Sequence, residues 1–113
     1  MSAMAVYANE IKRVRSLGID SAEIARVTGA ARATVSAWLR ASRRPGAKYR
    51  ERLLELVAIV DRLTEVMDDD QVALWLQKPL TALDDERPLD VLAGGRYREV
   101  SRLVAELESD SFS

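Results

Sequence analysis

The chain has 113 residues and contains neither cysteine nor histidine. Disulfides and thiolate metal sites are thereby excluded, and the commonest general base and metal ligand are missing, which argues against zinc chemistry and against Ser-His or Cys-His nucleophiles. A net charge of −1 hides an asymmetry: residues 1–62 hold twelve Lys/Arg against six Asp/Glu, and residues 63–113 hold five against twelve. Such a division suggests one surface for nucleic acid and another for a different partner.

Nearly every segment carries a helical period, which predicts an all-α protein. From Met4 to Leu17, Val6 or Tyr7, Ile11, Val14 and Leu17 recur at three- and four-residue steps. Gly18 is placed to stop that helix. Asp20 with Glu23 resembles a capping box for a second helix reaching about Thr28. Gly29 makes a turn, and a third helix is expected over about Ala31 to Ala41. Arg43, Arg44, Pro45 and Gly46 form a loop.

The longest helix is predicted from about Ala47 to Met67. Leu53, Leu56, Val57, Val60, Leu63 and Met67 form its apolar stripe, widened by Leu54, Ile59 and Val66. A helix this apolar is expected to pack on two sides and to support self-association. Asp68–Asp70 ends it and is expected to cap the next helix, Gln71 to Gln77. Pro79 closes that helix, a helical turn is expected at Leu80–Leu83, and Asp84 to Arg87 form an exposed loop. Pro88 opens a short helix to Ala93, and Gly94–Gly95 breaks it. The pair lacks the preceding strand and spacing of a dinucleotide loop. The last helix, Arg96 to about Glu108, is expected to bury Tyr97, Val100, Leu103, Val104 and Leu107. The tail after it is polar apart from Phe112.

Residues 20–45 meet the requirements of a helix-turn-helix one by one. Ala25 is small where the two helices touch, and Gly29 follows four residues later. Ile24 and Val27 face Val35 and Trp38 or Leu39. The departure is Ala30 or Ala31 where a Ser, Thr, Asn or Asp cap would serve better. In a DNA reader the second helix enters the major groove. Its outward positions are Arg32, Ala33, Ser36, Ala37 and Arg40. Arg32 is the candidate for a bidentate guanine contact, Ser36 can donate or accept, and the alanines can touch thymine methyls. Arg43, Arg44 and Lys48 would hold phosphates, and Thr34 a phosphate or the helix start. So few base-reading groups on one protomer call for a dimer on a two-fold operator.

The segment TVSAW at Thr34 to Trp38, followed by a basic loop and Pro45, resembles Xre/Cro-type regulators over roughly residues 4–62. The second half carries Trp75, Leu76, Pro79 and Leu83, then Pro88, Leu92, Gly95, Val100 and Leu103. In that order they resemble the C-terminal domain of MbcA/ParS/Xre antitoxins, partners of RES-domain toxins. The resemblance divides the chain into a DNA-binding domain, 1–62, and a toxin-binding domain with a short tail, 63–113. It implies a type II antitoxin that blocks the NAD pocket of a cognate NAD-degrading RES toxin and represses its own operon. The implied toxin contacts are Trp75, Pro79, Leu80, Leu92, Gly94, Gly95, Arg96, Tyr97, Asp110, Ser111 and Phe112. The family tail often ends in a Gly-Val-Phe pattern, whereas Asp110 and Ser111 precede Phe112 here.

The tail has a physical reading of its own: Phe112 as an anchor, with Asp110 and Ser111 as acceptors that mimic a pyrophosphate, against the plain reading of a frayed terminus. No cofactor, metal or enzymatic activity is expected, since the carboxylates at Asp68–Asp70 and Asp84–Glu86 read as caps and loops. No apolar run nears the roughly 20 residues of a membrane span, and the start lacks the pattern of a signal peptide, so a soluble, cytoplasmic protein is expected. The competing reading is a stand-alone dimeric repressor whose second half serves dimerisation or effector sensing.

Overall fold

The computed structural model describes residues 2–111, which form seven α-helices and one 3-10 turn. Phe112 lies outside the described residues. The first helix, α1 (Ala3–Ser16), starts where Ser2 accepts a hydrogen bond from the Ala5 amide at 3.1 Å. It buries Ala8, Ile11 and Val14. Val6, expected on that face, is exposed, and Tyr7 packs against the core instead. At Gly18, φ is +106° and the chain turns sharply.

Asp20 caps α2 (Ser21–Thr28) by accepting from the Glu23 amide at 2.9 Å. The expected capping box is only half made. The Glu23 carboxylate accepts instead from Arg87, 64 residues on, at 3.3 Å. A charged donor from another element outcompetes the local amide. Gly29 turns the chain with φ at +81° and leads to α3 (Arg32–Leu39), whose cap residue Ala31 supplies no side-chain hydrogen bond. This helix ends two residues earlier than the period suggested, because Ala41 adopts a positive φ of 57°.

The long helix α4 (Ala47–Val66) buries Leu53, Leu56, Val57, Ile59, Val60 and Leu63. Leu54 does not widen the buried stripe; it is exposed. One side of α4 packs on α2 and another on α7. Helix α5 (Asp69–Gln77) begins two residues before the expected start, and Asp68 makes no side-chain cap bond. Asp69 and Asp70 act there only as negative charge in the first turn.

A 3-10 turn (Thr81–Leu83) is closed by an isolated antiparallel bridge between Leu80 and Glu86. Helix α6 (Pro88–Ala93) starts with the proline and packs on α2. The last helix, α7 (Tyr97–Ser111), buries Val100 and Val104 fully, while Tyr97, Leu103 and Leu107 are half-buried. It continues to Ser111, so Asp110 and Ser111 are helical and not part of a loose tail. One contiguous core runs from Ile11 to Val104, so both halves of the chain share it through α4.

Candidate functional site

The outward side of α3 carries the positions singled out for DNA. Arg32, Ala33 and Arg40 are exposed, Thr34, Ser36 and Ala37 are half-buried, and Val35 and Trp38 face the core. The Trp38 ring meets Tyr49 with centroids 5.8 Å apart, which anchors α3 to the start of α4. Arg43 and Arg44 are exposed on the loop after α3. Lys48 joins them from α4, where it lines a cleft of about 200 Å³ with Gly29 of the turn.

Arg13, Arg26, Arg52, Arg62, Arg87 and Arg96 all pair with carboxylates. Among the described residues, Arg32, Arg40, Arg43, Arg44 and Lys48 take part in no ion pair. Lys12, Arg15, Arg50, Lys78, Arg98 and Arg102 are in no ion pair either, so what marks the five is their grouping on α3, the loop after it and the start of α4, where they offer positive charge to an anion.

The candidate toxin contacts fall into two groups, one around the start of α7 and one along its second half, which the Leu80–Glu86 bridge and the Arg96–Glu86 ion pair link to each other. At the first end, Arg96 donates to Glu99 at 2.7 Å and pairs with Glu86 at 2.8 Å. Those bonds raise the pKa of Arg96, and its hydrogen bonds hold Glu99 below the ordinary carboxylate range. Gly95 has φ at +78°, and a Cβ there would lie 2.6 Å from Arg52 Nη2. The positive φ is what calls for glycine there, since the Arg52 guanidinium stands at the end of a flexible side chain and is free to shift.

At the second end, Trp75, Leu80 and Asp110 line an open groove of about 260 Å³ together with Leu103 and Leu107. Pro79 is exposed beside it in the chain. Leu92 requires a correction: it is 1% exposed and belongs to the core, so its side chain cannot contact a partner on this surface. Its position on α6 between α2 and α7 buries it, which a short apolar run does not reveal. Leu103 and Leu107 were legible as apolar steps of α7, but not as half-exposed walls of a groove.

Sequence reasoning missed two polar clamps that hold these surfaces in place. Arg62 of α4 reaches Glu108 of α7 through two hydrogen bonds, of 3.0 and 2.6 Å, and Ser101 Oγ at 2.7 Å. Between α2 and α6, Arg87 donates to both Asp90 oxygens at 3.0 Å and to Glu23, while Arg26 pairs with Asp90 at 2.7 Å. Hydrogen bonds from Arg87 hold the Asp90 carboxyl below its ordinary pKa, and those from Arg62 do the same for Glu108. Among the described residues no group of three acidic side chains is arranged to hold a metal ion, and no helix is long and apolar enough to cross a membrane.

A probable mycobacterial cidal antitoxin of Mycobacterium tuberculosis is 33% identical over 103 residues, covering 90% of this chain and 87% of that protein. The chain belongs to the Xre/MbcA/ParS antitoxin family. Residues 62–109 of this antitoxin match the family's C-terminal toxin-binding domain. The mycobacterial cidal antitoxin MbcA of M. tuberculosis is 27% identical over 99 residues, 88% of each chain. The crystal structure of the M. tuberculosis MbcT–MbcA toxin–antitoxin complex contains a chain that superposes with a TM-score of 0.81, at 26% identity and 97% coverage of both chains. In this antitoxin the matched segment opens at Arg62 and takes in Trp75, Leu80, the Gly94–Tyr97 corner and nearly all of α7.

Proposed function

We propose that this antitoxin binds a cognate RES-domain toxin in the cytoplasm, obstructs the toxin's NAD pocket, and represses its own operon as a dimer on two-fold DNA. The observation that carries the toxin reading is the groove at the end of α7. Trp75, Leu80 and Asp110 meet there, inside or next to the segment matched to the toxin-binding domain. An aromatic flanked by leucines in a concave site has the composition of an interface anchor. Asp110 lines it from the last turn of α7, with Ser111 next in the chain, where an acceptor could face the anion-binding groups of an NAD pocket.

Repression is supported by the five uncompensated cations around α3. In this reading Arg32 reads a base, and Arg43, Arg44 and Lys48 hold phosphates. The 1–62 and 63–113 segments then divide the work, although they share one core through α4.

The test is an NAD-consumption assay on the RES protein encoded beside this chain, alone and with the antitoxin added. Full-length antitoxin should silence it. Trp75→Ala and Leu80→Asp should each weaken inhibition by at least about tenfold, the effect of losing an interface anchor. Arg32→Ala should leave inhibition intact while weakening promoter binding. A neighbouring protein that consumes NAD equally with and without the antitoxin refutes the inhibitor reading. Promoter binding that persists in that case favours the stand-alone repressor.

A further inference from the structure

The loop after α3 holds a hydroxyl in the middle of the unpaired cations. Arg40, Ser42, Arg43 and Arg44 follow one another with only Ala41 between. All four are exposed, and the three arginines take part in no ion pair among the described residues. Ala41 adopts a positive φ of 57°, which ends the helix before Ser42. The Ser42 hydroxyl and amide then both donate to the carbonyl of Ala37, at 3.1 and 3.0 Å. The other described serines are half-buried, helical or, at Ser2, without a Lys or Arg within five positions. Ser42 therefore combines exposure, a place outside any helix and basic flanks. An enzyme can reach it without unfolding an element, and the arginines suit an acidic cleft.

A phosphoryl group on this hydroxyl brings nearly two negative charges and three strong acceptors. Two effects act in the same direction. An esterified Oγ carries no hydrogen, so its donation to the Ala37 carbonyl is lost, and the carbonyl end of α3 repels the new dianion. Arg40, Arg43 and Arg44 attract it, because a guanidinium fork matches the geometry of phosphate oxygens. The group thus leaves the helix end for the arginines and occupies the cations that the repressor reading gives to DNA phosphates. Of five positive charges around α3, about three remain uncompensated.

We propose that Ser42 is a phosphorylation site for an ATP-dependent serine kinase that favours basic flanks, and that its phosphate switches off the DNA face. Ser42 Oγ bonds to the γ-phosphorus of ATP as that phosphorus parts from the bridging oxygen. The hydroxyl proton passes to the base of the kinase, and ADP leaves. Ser42 lies outside the segment 62–109 matched to the toxin-binding domain. The modified antitoxin therefore releases its operon and still holds the toxin. The consequence for DNA rests on the repressor reading, whereas modification of Ser42 does not.

The full chain is prepared unmodified and with phosphoserine inserted at position 42 during translation, and both are titrated onto operator duplex by fluorescence anisotropy. Phosphorylation should weaken binding at least about tenfold and make the slope of log affinity against log salt shallower by about 2 per bound protomer. Alkaline phosphatase should reverse both changes. Ser42→Ala loses the bond to Ala37 without adding charge, and should stay within about threefold of wild type. Both forms should inhibit the toxin alike in the NAD assay. Antitoxin purified from its native host should carry a phosphoryl group on the peptide that spans Ser42, read by mass spectrometry. Equal operator affinities of the two forms, Ser42→Ala as weak as the phosphorylated chain, inhibition lost on phosphorylation, or no phosphorylated Ser42 in the host overturns the proposal. An unmodified chain that fails to bind its operator refutes the repressor reading instead, and the mass spectrum of the host protein then decides the modification on its own.

Discussion

Replacing Arg87 with methionine keeps most of the side-chain stem and removes the charge that joins α6 to α2. Arg87 makes two hydrogen bonds to Asp90 and one to Glu23, and its side chain is 23% exposed. After the change Asp90 keeps Arg26 as partner, whereas Glu23 loses its donor and already has one buried oxygen without a bond. The site lies between an exposed ion pair, at about 0.2–1 kcal/mol, and a fully buried one, at about 3–5 kcal/mol, so a loss of about 2 kcal/mol is expected. For a chain of this size that lowers Tm by about 8 °C.

The same clamp has a pH signature. The Asp90 carboxyl is lowered in the folded state, chiefly by its hydrogen bonds from Arg87. Its contribution is therefore complete above the unfolded carboxylate value near 4, and is lost as pH falls through the lower folded value. Urea unfolding of wild type and Arg87→Met from pH 7 to pH 3 should show a gap of about 2 kcal/mol at pH 7 that narrows below about pH 4. An unchanged Tm in the variant, or a gap constant across that range, would refute the assignment of the clamp.

Other substitutions test separate parts of the structure. Ala31 sits in extended geometry at the start of α3 without a side-chain cap, so Ala31→Asp should add about 1 kcal/mol in chemical denaturation. Gly95→Ala should cost about 1–2 kcal/mol, since φ is +78° there and the new Cβ meets Arg52. Gly94→Ala, at φ −79° with no neighbour of its Cβ nearer than 3.5 Å, should change stability by less than about 0.5 kcal/mol. If Arg43 and Arg44 hold phosphates as proposed, replacing both with Gln removes two phosphate contacts per protomer on operator DNA. The slope of log affinity against log salt should then become shallower by about 3–4 for a dimer. Fluorescence anisotropy on operator and scrambled duplexes should show the same change of slope on both.

Local signals in the sequence determined most of the elements. The three- and four-residue steps of Ile11, Val14, Leu53, Leu56, Val100 and Val104 place the buried faces of their helices. Gly18, Gly29 and Gly95 mark turns where a positive φ is adopted. Each depends on neighbours within a turn or two, so a linear reading recovers it. The turn at Gly29 between α2 and α3 and the order of landmarks from Trp75 to Leu103 were legible for the same reason.

Tertiary structure alone decided what covers each face. Leu92 and Leu74 look alike in sequence, yet among the described residues the first is buried in the core and the second is 59% exposed. Glu23 could cap its own helix or reach Arg87, and the approach of α6 to α2 made the distant guanidinium the stronger partner. Arg62 meets Glu108 only because α4 and α7 lie side by side. Periodicity reports which side of a helix is apolar. Exposure, charge pairing and the shape of a groove depend on elements brought together from dozens of residues away, and those are set by how the helices pack.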